Sequence, residues 1–198
     1  MRLECVMRPV DDREAMKGTK QFKAKICLVG EGAVGKTSMI RRLVLDQFSD
    51  DYIMTLGAKV TKKEVEVPLP GKGLRARVEL LIWDVMGQPK FRELLQDVYF
   101  HGASGILAVA DLTRRATLDA LFEWIDRVDR ITVHAPVVLA VNKADLRGQA
   151  QFGDADIARL ARAFHGEFLM TSAKTGENVE EAFQRMGTIV VGHLMEAR

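Results

Sequence analysis

The chain predicts an α/β fold: a six-stranded, mostly parallel sheet with one antiparallel strand and helices on both faces. Three observations carry this expectation. Apolar runs of strand length alternate with helical patterns from one end of the chain to the other. A glycine-rich segment of the form G-x-x-x-x-G-K-T, Gly30 to Thr37, separates the first apolar run from the first helical pattern. Two alternating segments flank Pro68-Leu69-Pro70-Gly71-Lys72-Gly73, a turn that reverses the chain and supplies the antiparallel pair. The length of 198 residues suits one domain. We place it at 23–198, with 1–22 as an N-terminal extension.

Taken in order, Lys25–Val29 is the first apolar strand, and Met39, Ile40, Leu43 and Val44 then recur at helical spacing. A polar stretch from Asp46 to Gly57 leads to Lys59–Val67, which alternates as a half-buried strand, and Arg75–Trp83 returns against it. Further apolar runs follow at Gly105–Ala110, Pro136–Val141 and Glu167–Met170. Helices are expected near Phe91–Tyr99, Ala116–Ile131, Asp154–Phe164 and Val179–Leu194. In the second of these, Leu118, Leu121, Phe122, Ile125 and Val128 form one apolar face suited to covering a sheet. Trp83 and Cys27 fall in core strands. Ligands of such sheets bind beyond the carboxyl ends of the strands.

Composition excludes several classes. With 47% hydrophobic and 28% charged residues the chain is an ordinary globular one. A formal charge of +2 lacks the basic excess of a nucleic-acid binder, so no nucleic-acid partner is expected. No apolar run is long enough to span a bilayer. Cys5 and Cys27 make neither a disulfide framework nor a metal cluster, which points to a reducing, cytoplasmic setting. The N-terminal arm, with Arg13, Glu14 and Lys17, lacks the apolar core of a signal peptide and reads as a solvated face. Arg2 stands where myristoylation needs glycine, and Gly192 to Arg198 offers no cysteine for prenylation. No direct membrane anchor is therefore expected, and attachment would pass through a partner or acylation of Cys5. The histidines His101, His134, His165 and His193 have no metal-ligand spacing.

The chemistry lies at the predicted strand ends. Gly30-Glu31-Gly32-Ala33-Val34-Gly35 reads as a phosphate-binding loop whose backbone N–H groups curl around a β-phosphate with no Cβ in the way at the glycines. Lys36 reaches the β- and γ-phosphates and the Thr37 hydroxyl ligates Mg²⁺. Ser38 continues into a helix whose N-terminal amides favour negative charge. Asp84 emerges at the end of Leu80–Trp83, where an acid can hold Mg²⁺ directly or through water. Gly87 permits close approach of its N–H to a γ-phosphate, and Gln88 can orient an attacking water.

Asn142-Lys143-Ala144-Asp145 turns from phosphate to base. The Asp145 carboxylate can accept from N1–H and the exocyclic amino group of guanine, whereas adenine leaves it without donors, at a cost of about 1–3 kcal/mol. Asn142 can tie this segment to the phosphate loop, and the Lys143 stem can lie along the purine face. Ser172-Ala173-Lys174 follows the next strand and puts the Ala173 N–H within reach of guanine O6.

With these motifs in order, the chain resembles a small GTPase of the Ras superfamily, closest to its Rab-like members, from about Lys23 to Leu194. That resemblance implies a P-loop GTPase fold, a monomer binding GTP and GDP with Mg²⁺, and a molecular switch read by effectors, exchange factors and activating proteins. It makes Thr55 the switch threonine, with its hydroxyl on Mg²⁺ and its N–H at the γ-phosphate. It puts Phe48 against the guanine, although the residue alone reads equally as a core plug. It places Tyr52 over the phosphates. Catalytic roles fall to Gln88, Lys36 and Thr55, and Gly32 and Gln88 match the residues of hydrolysing members.

The chain also departs from the family's pattern. Met86 stands where a methyl or nothing is usual, and Pro89 restricts Gln88 to extended geometry and removes a backbone donor. Slow hydrolysis through a misaligned Gln88 is the expectation, and the alternative is a scaffold that retains nucleotide with little hydrolysis. An ATP-using P-loop kinase is disfavoured by Asn142–Asp145. No arginine acting in cis is identifiable, and Arg75, Arg77 and Arg92 are assigned surface roles.

Overall fold

Strand residues alternate between two apolar cores, and that alternation builds a sheet covered on both sides. The computed structural model describes residues 20–49, 54–55, 57–69, 74–85, 96–132 and 134–196. Six strands form one sheet in the order β2-β3-β1-β4-β5-β6. They are β1 (Lys20–Val29), β2 (Ala58–Pro68), β3 (Arg75–Val85), β4 (Gly105–Asp111), β5 (Val137–Asn142) and β6 (Glu167–Met170). Only β2 and β3 pair antiparallel, with Val65 opposite Val78, and every other pairing is parallel. The helices are α1 (Lys36–Leu45), α2 (Gln96–Phe100), α3 (Arg115–Thr132), α4 (Asp154–Ala163) and α5 (Val179–Glu196).

Along β1, Ala24, Ile26 and Leu28 join Met39 of α1 and Phe183 of α5 in one core, while Cys27 and Val29 join Leu121 of α3 and Ile157 of α4 in the other. β4 and β5 divide in the same way, with every residue buried, as central parallel strands must be. Burial pushes the Cys27 thiol up to about 12, with Lys25 pulling weakly the other way, so it is a core residue and not a reactive one. The chain leaves β1 towards β3 on one side and later fills β4 to β6 on the other. The order therefore reverses at β1, and a crevice opens beyond its carboxyl end.

Four details differ from the sequence expectation. β1 begins at Lys20, so three residues assigned to the extension pair with the sheet, Lys20 opposite Ala76; they are largely exposed and carry no apolar run to announce them. Phe122 does not join the covering face of α3. It is 52% exposed and leans on Phe164, ring centroids 5.2 Å apart. Trp124 is buried in its place, because it lies three residues after Leu121 on the same helical stripe. Trp83 is only half-buried, with the Lys25 ammonium 4.1 Å from its ring centre. A 3₁₀ helix, Ala144–Gln149, follows β5 directly. The first nineteen residues, the 70–73 turn and most of the expected 91–99 helix, including Arg92, lie outside the described residues, which record that helix from Gln96. Among the described residues no helix is long and apolar enough to cross a membrane.

Candidate functional site

The phosphate loop bends sharply out of β1 because Gly30 (φ +134°) passes so close to β4 that a Cβ there would lie 2.2 Å from the Val109 carbonyl oxygen. At the other end Gly35 (φ +101°) opens α1 with its Cα against Asn142, where a Cβ would lie 2.2 Å from Nδ2. α1 has no acidic residue in its first turn and no side-chain cap, so its leading amides remain donors without a side-chain acceptor at the cap. Lys36 is buried, and its ammonium donates to the carbonyls of Gly30 (2.7 Å) and Glu31 (2.8 Å). Burial pushes it down to about 8, against the pull of Asp84 and Glu31. An anion seated in the loop would raise it again.

Three oxygens meet beside Lys36. The Thr37 hydroxyl donates to Asp84 Oδ2 at 2.5 Å and lies 3.0 Å from the Thr55 hydroxyl. Asp84 is buried at the end of β3, and burial pushes its carboxyl up while Thr37, Lys36 and Lys59 pull the other way. Its Oδ1 is buried with no hydrogen-bond partner. A buried, unpartnered carboxylate oxygen beside two hydroxyls is the donor set of a hard, oxygen-loving cation such as Mg²⁺, so these residues fit one. Among the described residues no group of three or more His, Cys, Asp or Glu side chains is arranged to hold a metal ion.

The base-side motifs close on the same loop. Asn142, buried at the end of β5, donates through Nδ2 to the Val34 carbonyl at 2.9 Å and accepts at Oδ1 from the Ala173 N–H at 3.0 Å. The Ala173 amide, expected to face guanine O6, is thus engaged by Asn142. Asp145 is exposed and accepts from the Ser172 hydroxyl at 2.5 Å, which in turn accepts from the Thr175 N–H. Lys143 adopts a left-handed backbone (φ 66°) and reaches Asp111 at 2.6 Å. Phe48 is half-buried and packs against the core, in keeping with its plug reading. Tyr52, Met86, Gly87, Gln88 and Pro89 lie outside the described residues.

Several contributors went unnoticed in the sequence. Arg42 of α1 pins the base-side turn by donating to the carbonyls of Ala173 (3.0 Å) and Lys174 (2.6 Å). Asp111, fully buried at the end of β4, gathers Lys143, Thr113 and Arg114. Burial would push its carboxyl up, yet hydrogen bonds from Lys143, Thr113 and Arg114 together hold it below the usual value. Trp124 Nε1 donates to Glu31 Oε1 at 3.2 Å. Position at a strand end was a signal for Asp111; the partners of Arg42 and Trp124, 131 and 93 residues away, left no local trace. Arg75 and Arg77 face Glu64 and Glu66 in exposed cross-strand pairs, as assigned.

A phosphate loop, a cation-suited oxygen cluster and a base-side network on one crevice define a nucleotide-binding α/β domain. The chain belongs to the Ras family, whose model matches residues 25–191. It is similar to Ras-related protein Rab-4A of Rattus norvegicus, 35% identical over 172 residues, covering 86% of this chain and 76% of that protein. Ras-related protein Rab-4B of Homo sapiens is 34% identical over 182 residues, 90% of this chain and 81% of the relative. Membership supports a Rab-like small GTPase that acts as a molecular switch.

Proposed function

We propose that the chain binds GTP and GDP with Mg²⁺ and hydrolyses GTP slowly by in-line attack of water, its bound state being read by effector, exchange-factor and activating proteins. The observation that carries this reading is the Asn142 side chain, which bonds the phosphate loop at Val34 and the base-side turn at Ala173 and so joins two motifs into one site. Lys36 and the loop amides stabilise charge developing on the transferred phosphoryl group. Thr37, Thr55 and Asp84 hold Mg²⁺, which neutralises charge on the phosphate oxygens when bound. Gln88 orients the attacking water, and Gly87 and Thr55 follow the γ-phosphate, so that hydrolysis releases the segments partners recognise. Asp145, set by Ser172, selects guanine.

Single-turnover hydrolysis of radiolabelled GTP with Mg²⁺ or EDTA tests this. Release of phosphate that stops in EDTA supports the reading, and equal use of ATP overturns it. In the same assay, replacing Met86 by Ala and Pro89 by Glu together should accelerate hydrolysis if those residues misalign Gln88.

A further inference from the structure

The phosphate loop is gripped from outside by a guanidinium that the reading above does not use. Arg114 follows β4 and is 42% exposed; its Nε donates to Asp111 Oδ2 at 2.8 Å and its Nη2 to the Gly32 carbonyl at 3.0 Å. Asp111 cannot shift in response, because it is fully buried and also accepts from Lys143 Nζ at 2.6 Å, Thr113 Oγ1 at 2.7 Å and the Thr113 N–H at 3.0 Å. The guanidinium is therefore fixed through Nε and bonded to the loop through Nη2.

The peptide it holds is a strained one. Because the peptide unit is planar and trans, a Gly32 carbonyl turned outward to Arg114 points the Ala33 N–H the opposite way, into the loop. Ala33 has φ +59°, a conformation that an alanine adopts only when its surroundings impose it. Rotation of the Gly32–Ala33 peptide would relieve Ala33 and withdraw its N–H from the phosphates. On the neighbouring residue, the bond from Trp124 to Glu31 also ties the loop to α3. Lysine would not reproduce this, since Nε and Nη2 are separate donors of a rigid planar fork whereas an ammonium donates from a single point.

We propose that Arg114, anchored by Asp111, is a positioning residue for GTP hydrolysis that sets the Gly32–Ala33 peptide of the phosphate loop. This rests on the GTPase reading above. It also gives the phosphate loop an arginine partner from the same chain, acting through the loop backbone.

The test compares the full chain with Arg114→Ala, Arg114→Lys and Asp111→Asn. Readouts are the single-turnover rate of bound GTP, the GTP dissociation constant and the ³¹P chemical shift of the β-phosphate of bound GDP. Loss of one charge-assisted hydrogen bond predicts a rate roughly tenfold or more lower in Arg114→Ala. Arg114→Lys should not restore it, the affinity should change less than the rate, and the β-phosphate resonance should move. Adding Arg114→Ala to an Asp111→Asn background should cost little more. The proposal is overturned if Arg114→Ala hydrolyses GTP at the wild-type rate with an unmoved resonance, or if Arg114→Lys behaves as wild type. Should Asp111→Asn fail to fold, the two Arg114 variants decide alone. A wild-type chain that binds no guanine nucleotide would defeat the GTPase reading along with the proposal, and so differs from failure of the proposal by itself.

Discussion

The two halves of the crevice are built on opposite principles. On the base side, Asn142, Ser172, Ala173 and Asp145 bond to one another or to adjacent backbone, and Arg42 fastens the turn to α1. On the phosphate side, Asp84 Oδ1 is buried without a partner, and Lys36 lies in a buried position on two backbone carbonyls. The first half satisfies itself and serves as a preformed mould. The second carries electrostatic demand that an anion and a cation would meet, so binding energy should concentrate there and selectivity should reside on the other half.

The largest effect expected from this contrast is on affinity at the phosphate side. Lys36→Ala should weaken GTP binding about a hundredfold or more, since at least two charge-assisted hydrogen bonds are lost. Isothermal titration of the nucleotide-free chain measures this, and a loss below tenfold would remove the distinction between the halves. A second effect, on stability and not on affinity, is expected where the halves meet. Gly35→Ala puts a methyl group into Asn142 at a left-handed position, and should lower stability by about 2–4 kcal/mol in urea denaturation. A variant as stable as wild type would mean that the two halves are not held in close register.

The smallest of these effects is a pH dependence at Asp111, which Lys143 and Arg114 face with positive charge. Its carboxyl is held below the ordinary value in the folded chain, so it stabilises the fold above pH ~4 and loses that contribution as pH falls through its lowered value. Asp111→Asn should be about 1–3 kcal/mol less stable at pH 7. The gap should narrow steadily in acid, and a gap independent of pH would place the cause elsewhere.

Contiguity decided what the sequence could reveal. Gly30–Thr37 and Asn142–Asp145 were legible because each motif is unbroken and follows an apolar strand, so its place at a strand end came with the motif. The six strands were legible for the same reason, with β1 beginning early because Lys20–Lys23 pair through backbone and bring only Phe22 to the core, too little to make an apolar run. Arg114 was not legible. Its partner Gly32 lies 82 residues away, and only the parallel placement of β4 beside β1 brings them together. Phe122 and Trp124 differ by two positions, and a broad apolar stripe on a helix does not say which of two aromatic residues faces inward.

The claim that one half supplies affinity and the other selectivity is tested most directly by competition among GTP, ITP and ATP for the nucleotide-free chain in Mg²⁺. Inosine lacks the exocyclic amino group that Asp145 would accept from, while all three share the triphosphate. GTP should bind tighter than ITP by about 1–3 kcal/mol, Asp145→Ala should abolish that margin, and ATP should compete weakest. Equal binding of all three nucleotides to the wild-type chain would contradict it.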